Sequence, residues 1–212
     1  VPHGQYLLYD ALAKPLPAKV VVYQSCWCLS DAEVVRLGAL AASRPDQVRV
    51  WCWAPGAWQE DGTETLKRMS CLTGFKMARH DVASDPLARA KATEAGVAHG
   101  LVADTWYGTS VRVNPLFTVT DAQPDEVWAR YSNGDPAIAV RGNEVFVGMP
   151  EVSTELVWAL ARKAGAHSYL PRGEIGLATL WADAASGALS LQAMTNATLH
   201  LQIPAPAATV RD

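Results

Sequence analysis

The stretch KVVVYQSCW, from Lys19 to Trp27, decides the expected fold. It is a continuous apolar run rich in β-branched residues, which is typical of a strand buried on both faces of a parallel sheet. A capping box follows, because the Ser30 hydroxyl can accept a hydrogen bond from the Glu33 amide while the Glu33 carboxylate reaches back. We therefore expect a helix here. Its apolar residues recur at helical spacing at Val34, Leu37, Leu40 and Ala41.

A second strand and a second helix follow at once. The apolar run from Val48 to Trp53 ends at the corner Ala54-Pro55-Gly56. The next element starts near Asp61 or Thr63 and ends at Gly74, which is a good left-handed C-cap. Strand, helix, strand and helix in this order predict an α/β fold, a flavodoxin-like parallel sheet flanked by helices.

The middle of the chain predicts a sheet edge and a hairpin. Residues Val111 to Asp121 alternate apolar and polar side chains around Asn114-Pro115, which suggests an extended segment at an edge. Residues 137–140 and 144–148 flank Arg141-Gly142-Asn143. Glycine and asparagine tolerate positive φ, so a hairpin is expected at this turn.

The clearest helix runs from Ser153 to Gly165, with Leu156, Trp158, Leu160 and Ala161 on its expected buried side. Beyond Leu170 the pattern changes to three short strands, Ile175 to Trp181, Ala188 to Gln192 and Thr198 to Ile203. We therefore predict two domains, an α/β domain over residues 1–170 and a small C-terminal antiparallel β extension over residues 171–212.

Composition limits the function classes. The chain has 212 residues and a net charge of only −3, so no basic surplus supports nucleic-acid binding. No apolar run approaches the roughly 20 residues that span a bilayer, so no membrane partner is expected. The four cysteines favour a reducing compartment, and a cytoplasmic location is slightly favoured.

The cysteines themselves are Cys26, Cys28, Cys52 and Cys71. Free cysteine is among the most buried residue types, so core thiols are the first interpretation. A zinc site is the alternative, but C-x-C without a second close pair is poor ligand spacing. We expect no metal and no cofactor.

Catalytic motifs are missing from the sequence. A cysteine nucleophile on this fold needs a tight turn with glycines, whereas Cys26 has large neighbours and no glycine. His80, His99 or His167 could act as a base, yet no spacing singles one out. No G-x-G-x-x-G or P-loop motif is present. The sequence therefore predicts no catalytic residue, and whether this chain alone is an enzyme stays open, with a non-catalytic role favoured.

The tryptophans are the most unusual side chains of this sequence. Trp27, Trp53 and Trp58 fall at or just beyond the carboxyl ends of the first two long strands, the edge where open α/β sheets place ligands. Their aromatic faces could stack on a sugar or anchor a partner surface. The alternative is that they pack the sheet against its helices and loops.

Taken in order, these segments resemble the β-galactosidase trimerisation domain, a class I amidotransferase-like domain that follows the catalytic barrel in many bacterial glycoside hydrolases. The resemblance covers nearly the whole chain. It is carried by Tyr6 to Asp10, Lys19 to Tyr23, Leu29 to Glu33, Val50 to Gly56, Leu72 to Phe75, Gly148 to Pro150 and Ala164 to Tyr169. It implies a degenerate amidotransferase fold without a catalytic triad. The family's catalytic glutamates lie in the barrel, so no residue of this chain inherits them.

The resemblance therefore implies a non-catalytic accessory domain of a carbohydrate-active, β-galactosidase-like hydrolase, which serves oligomerisation or interdomain contact. The expected partners are the catalytic barrel of the same polypeptide, identical subunits, or both, with carbohydrate as a further ligand. The alternative is an independent α/β small-molecule binding or hydrolytic protein that uses the Trp27/Trp53 edge. A carbohydrate-binding module, usually an all-β sandwich, fits the pattern poorly.

Overall fold

A computed structural model describes residues 4–80, 87–171, 177–183, 188–196 and 198–203. The chain divides into two compact units. The larger unit is Tyr6–Gly165, and the smaller one consists of Ala166–Asp212 together with Val1–Gln5. Over the described residues, the structure has no helix that is both long and apolar enough to cross a membrane.

The larger unit begins with the predicted strand–helix–strand arrangement. After a short helix α1 (Leu8–Ala13) come strand β1 (Val20–Tyr23), helix α2 (Asp31–Ser43) and strand β2 (Val48–Cys52). β1 and β2 are parallel, with Val20 opposite Val48. The capping box is present, since the Glu33 amide donates to Ser30 Oγ at 3.3 Å and the Ser30 amide to Glu33 Oε2 at 2.7 Å.

The two strands differ in burial. Every residue of β2 is buried, as the apolar run predicts. β1 lies at the edge of its sheet, and Val22 is 38% exposed. The prediction that the first strand is buried on both faces is therefore wrong, because Val21 on one face is buried while Val22 on the other is exposed.

The rest of the larger unit is mostly antiparallel. Its remaining elements in chain order are α3 (Leu66–Thr73), β3 (Met77–His80), β4 (Leu87–Ala92), α4 (Glu94–Ala98), β5 (Trp106–Arg112), β6 (Leu116–Val119), β7 (Val127–Tyr131), β8 (Pro136–Arg141), β9 (Glu144–Val147) and α5 (Thr154–Lys163). The main sheet has seven strands in the order β1-β2-β9-β8-β7-β4-β5. Among the described strands of this sheet, the pairs β1–β2 and β2–β9 are parallel and the others are antiparallel.

The predicted flavodoxin-like parallel sheet flanked by helices is therefore wrong, and short connections explain why. Only two residues separate β8 from β9, and a connection this short can join only antiparallel neighbours. The hairpin expected at Gly142 is confirmed, with Arg141 opposite Glu144. The strand after α3 does not return to the main sheet, because β3 pairs with β6 in a separate two-stranded sheet.

The predicted ends of the helices agree with the structure better than their predicted buried faces do. α3 ends at Gly74, whose φ of +73° is the left-handed C-cap that was expected. α5 begins at Ser153, whose Oγ accepts from the Leu156 amide at 3.2 Å. Leu156 and Leu160 are buried as predicted, but Trp158 and Ala161 are only half-buried. The Arg162 guanidinium lies 4.8 Å from the centre of the Trp158 ring.

A charged pair holds the parallel strands together. The Arg49 guanidinium on β2 donates from Nε to Glu144 Oε1 on β9 at 2.7 Å. Trp51 Nε1 donates to the other oxygen of Glu144 at 2.8 Å. Arg49 is 8% exposed and also caps the end of α2 through the carbonyl of Arg44. Paired and hydrogen-bonded in this way, a charge can lie close to the core.

The smaller unit contains a hairpin of β10 (Ala178–Asp183) and β11 (Ala188–Ala193). These strands agree with the predicted antiparallel β extension, although residues 175 and 176 of the first predicted strand lie outside the described residues. The third predicted strand, Thr198 to Ile203, is not a strand. One of its residues, Gln202, instead donates from its amide to the Tyr169 carbonyl at 2.7 Å.

Candidate functional site

The three tryptophans singled out in the sequence lie together beyond the carboxyl ends of β1 and β2. The Trp27 and Trp53 rings meet edge to face, with centroids 4.9 Å apart. Trp58 follows at 5.6 Å from Trp53. Phe117 of β6 lies 6.3 Å from both Trp53 and Trp58. We call these four side chains the indole cluster. Edge-to-face and tilted contacts of this kind stabilise aromatic groups beyond the area that they bury.

Backbone hydrogen bonds fix the two loops that carry the indole cluster. The Gly56 amide donates to the Cys26 carbonyl at 2.7 Å, and the Trp58 amide to the Trp27 carbonyl at 3.1 Å. Gly56 has a φ of +66°, and a Cβ at this position would lie 3.3 Å from the Cβ of Arg68. The corner therefore requires glycine, which lets the second loop lie against the first.

Trp53 has an unusual backbone conformation. Its φ of +57° is in the left-handed region, which a bulky aromatic residue seldom adopts. Such a conformation costs roughly 1–3 kcal/mol and persists only where the surroundings impose it. Here the Trp53 amide donates to the Val147 carbonyl at 2.6 Å, and the indole Nε1 donates to the Pro115 carbonyl at 2.9 Å. The strained turn directs the Trp53 ring into the centre of the cluster.

Exposure differs within the cluster. Trp53 and Trp58 are half-buried, whereas Trp27 is 37% exposed and forms the outer member. Trp27 is therefore the member that a partner or ligand could cover most directly. A contact role for Trp27, Trp53 and Trp58 stays a prediction.

Cys26 lies directly before Trp27 and has the properties of a packed thiol. Burial, with a smaller contribution from the Glu33 carboxylate, raises the pKa of Cys26 to about 11. A nucleophilic cysteine needs the opposite shift, toward the thiolate. The three candidate bases have other neighbours: His80 lies 3.2 Å from Asp135, His99 stacks on Trp128 at 4.7 Å, and His167 contacts the Gln202 carbonyl at 2.6 Å.

The other three cysteines differ in burial, so the expectation that all four are core thiols needs correction. Cys52 is fully buried, and burial raises its pKa to about 12. Cys28 and Cys71 are exposed, so the interpretation of all four as core thiols is wrong. Periodicity could not show this, because Cys28 lies in the loop after β1 and Cys71 on the outer side of α3. Among the described residues, no group of three or more histidine, cysteine or acidic side chains could hold a metal ion.

A polar groove of about 250 Å³ lies in the same region of the unit, at the start of α2. It is lined by Ser30, Asp31, Gln59, Glu60, Asp61 and Arg68. Arg68 of α3 donates to Asp31 Oδ1 at 2.7 Å and to the Leu29 carbonyl. Its hydrogen bond lowers the pKa of Asp31 below the usual range. Sequence reasoning missed Arg68, since nothing in the helix pattern pairs it with a residue 37 positions away.

Comparisons with known proteins add little information about the function of this chain. No protein-family model matches the chain, and no curated protein matches it. Among solved structures the chain is similar to a β-galactosidase from the psychrophilic Marinomonas ef1, with a TM-score of 0.47 and 14% sequence identity. The similarity covers 78% of this chain and 26% of that one, so the chain spans about a quarter of the length of that β-galactosidase. A similarity at this level shows neither the fold nor the function, and nothing found supports the amidotransferase-like or flavodoxin-like expectation.

Proposed function

We propose that this chain is a non-catalytic accessory domain of a carbohydrate-active hydrolase, and that Trp27 is its contact with a second subunit or with the catalytic barrel of the same polypeptide. The observation that carries the contact role is the indole cluster, an exposed tryptophan supported by three further aromatic rings at one edge of the sheet. The connection to a carbohydrate-active hydrolase rests on the sequence segments that resemble such domains.

The free energy of burying apolar area favours a partner that covers the exposed Trp27 ring. Apolar area removed from water contributes about 25 cal/mol per Å², and tryptophan offers more of it than other side chains. Tryptophan is also enriched among the few residues that dominate binding energy at interfaces. Trp27 is held in place by Trp53 and by the backbone bond from Trp58, so little side-chain entropy would be lost on binding.

The same region argues against covalent catalysis by this chain. With its pKa raised to about 11, Cys26 is protonated at neutral pH. A protonated thiol that is largely packed against its neighbours is a poor nucleophile. This chemistry favours a structural role for Cys26.

Sedimentation of the chain at increasing concentration tests the proposal, together with its affinity for the separately produced catalytic barrel. Trp27→Ala should weaken self-association or barrel binding by at least about tenfold, as expected for an aromatic anchor. Trp106→Ala is the matched control, because Trp106 is 44% exposed and lies on β5, at the opposite end of the main sheet from β1.

Two results would contradict the proposal. One is that Trp27→Ala changes neither association, which would make the cluster a packing feature alone. The other is turnover of glycosides or glutamine that disappears in Cys26→Ala, which would make the chain an enzyme.

The polar groove favours a second candidate function, the binding of a small polar molecule. Its carboxylate, amide and hydroxyl groups can donate hydrogen bonds to, or accept them from, a ligand with several hydroxyls. Calorimetry with galactose separates the two candidates, because Glu60→Gln should weaken binding in the groove and leave self-association unchanged.

A further inference from the structure

The antiparallel end of the main sheet carries a second exposed tryptophan in very different surroundings. Trp106 of β5 is 44% exposed. Lys91 of β4 is its direct cross-strand neighbour, and Arg130 of β7 is in turn the neighbour of Lys91. Arg89 lies two residues before Lys91 on the same face of β4. We call Arg89, Lys91, Trp106 and Arg130 the cationic row.

Strand alternation places the cationic row on one face. Ala88 and Ala90, which alternate with Arg89 and Lys91, are completely buried, as is Tyr107 next to Trp106. The row therefore points away from the core that these residues enter. The Arg89 guanidinium lies 4.4 Å from the centre of the Trp106 ring, and Lys91 Nζ lies 5.2 Å from it.

The positive charges of the row have no acidic partner in the part of the chain that the structure describes, since no carboxylate there forms an ion pair with Arg89, Lys91 or Arg130. Arg130 donates one hydrogen bond, to the Gly134 carbonyl at 2.8 Å. Like charges on directly opposite residues of a sheet destabilise it, so the Lys91–Arg130 pair carries a cost in the folded chain. An anionic partner would remove this repulsion.

We propose that the cationic row binds an anionic polysaccharide, whose carboxylate or sulfate groups pair with Arg89, Lys91 and Arg130 while a sugar ring lies against Trp106. The row crosses three neighbouring strands, which are about 4.8 Å apart, and its two residues on β4 are about 7 Å apart, so an extended polymer laid across the strands could contact all four side chains. Guanidinium groups pair well with both carboxylate and sulfate oxygens.

Charge complementarity favours a sugar polymer over an acidic peptide. The row combines cations with an indole, and an anionic sugar offers both an acidic group and an apolar ring face. An acidic peptide offers the charge without the ring face. The net charge of −3 excludes a general attraction of the whole surface for polyanions, so the binding must be local. This proposal concerns a different surface from the indole cluster, so either can fail alone.

The test measures the affinity of the full chain at low ionic strength for four polymers: polygalacturonate, dextran sulfate, neutral dextran and polyglutamate. Wild type should bind polygalacturonate, dextran sulfate or both, and bind neutral dextran and polyglutamate much more weakly. The stronger of the two anionic sugars identifies the acidic group. Arg89→Gln/Lys91→Gln should weaken this binding by about tenfold, as expected for two exposed charge pairs.

Two further variants keep the result interpretable. Lys14→Gln/Lys163→Gln removes the same charge from exposed positions outside the row and should change the affinity less than about twofold. Arg89→Lys/Lys91→Arg keeps the charge and should retain most of the binding. The proposal is overturned if wild type binds neither anionic sugar, if the two Gln variants lose affinity equally, or if polyglutamate binds as tightly as the sugars.

Discussion

Trp27 and Trp106 are both exposed tryptophans of the same compact unit, yet their neighbours differ completely. Trp27 touches another indole, at the parallel end of the sheet where β1 and β2 finish. Trp106 touches a guanidinium and an ammonium group, on antiparallel strands at the other end of the sheet. The comparison teaches that the surroundings of an exposed indole, rather than its exposure, indicate the partner. We expect aromatic neighbours to favour an apolar contact, and cations without an acidic partner among the described residues to favour an anion.

The largest expected effect concerns the parallel strands that support the indole cluster. Glu144→Ala leaves the Arg49 guanidinium without its carboxylate close to the core. Loss of one partner of such a pair should reduce the free energy of unfolding by about 3–5 kcal/mol. Chemical denaturation measures this. Glu144→Gln is the control: it keeps an acceptor for Trp51 and should cost clearly less. Equal losses for both variants would show that the charge of Glu144 is unimportant.

A smaller effect concerns the thiol of Cys26, the residue directly before Trp27. The pKa of Cys26 is about 11 in the folded chain, above the unfolded value near 9. Its contribution to stability is therefore complete below pH 9 and is lost as the pH rises toward 11, because the unfolded chain loses the proton first. Two pKa units at about 1.4 kcal/mol each correspond to roughly 3 kcal/mol, which should disappear over this interval. Denaturation curves at several pH values should show a flatter dependence for Cys26→Ala. Cys71→Ser, which changes an exposed thiol, should keep the wild-type slope.

The smallest effect concerns the cationic row. Lys91→Gln removes a positive charge directly opposite Arg130, so it should raise the free energy of unfolding by about 0.2–0.5 kcal/mol at low salt. The gain should shrink as salt screens the repulsion. Lys163→Gln, at the end of α5, should give no gain. A loss of stability in Lys91→Gln would mean that the attraction between the ammonium group and the Trp106 ring outweighs its repulsion from Arg130. The row would then be stable without an anion, and its difference from the indole cluster would be smaller.

Local features of the fold could be read from the sequence. The capping box at Ser30 and Glu33, the left-handed Gly74 and the hairpin at Gly142 are each set by residues a few positions apart. The parallel pairing of β1 with β2 also follows from the helix between them. These signals depend on short-range chemistry, and the structure shows all of them.

The order of the strands could not be read in this way. An apolar run indicates a strand without indicating its neighbour, so nothing showed that β9 would pair with β2 or that β3 would pair with β6. Part of the indole cluster could be predicted from the sequence, since the ends of two neighbouring parallel strands place Trp27 and Trp53 near each other. Phe117 was not, because it reaches the cluster from a strand far along the chain. The cationic row was missed for the same reason, as its residues come from three strands.

The pairing of β2 with β9 also bears on how the chain is made. Arg49 and Glu144 are 95 residues apart, so β2 leaves the ribosome long before its partner exists. At roughly 5–20 residues per second, that interval lasts about 5–20 seconds. Throughout it, β2, whose residues are all buried in the finished fold, has β1 on one side and an open edge on the other, the kind of edge to which other unfinished chains can add. The strand that completes the parallel part of the sheet thus ends the period in which the nascent chain is most prone to aggregate.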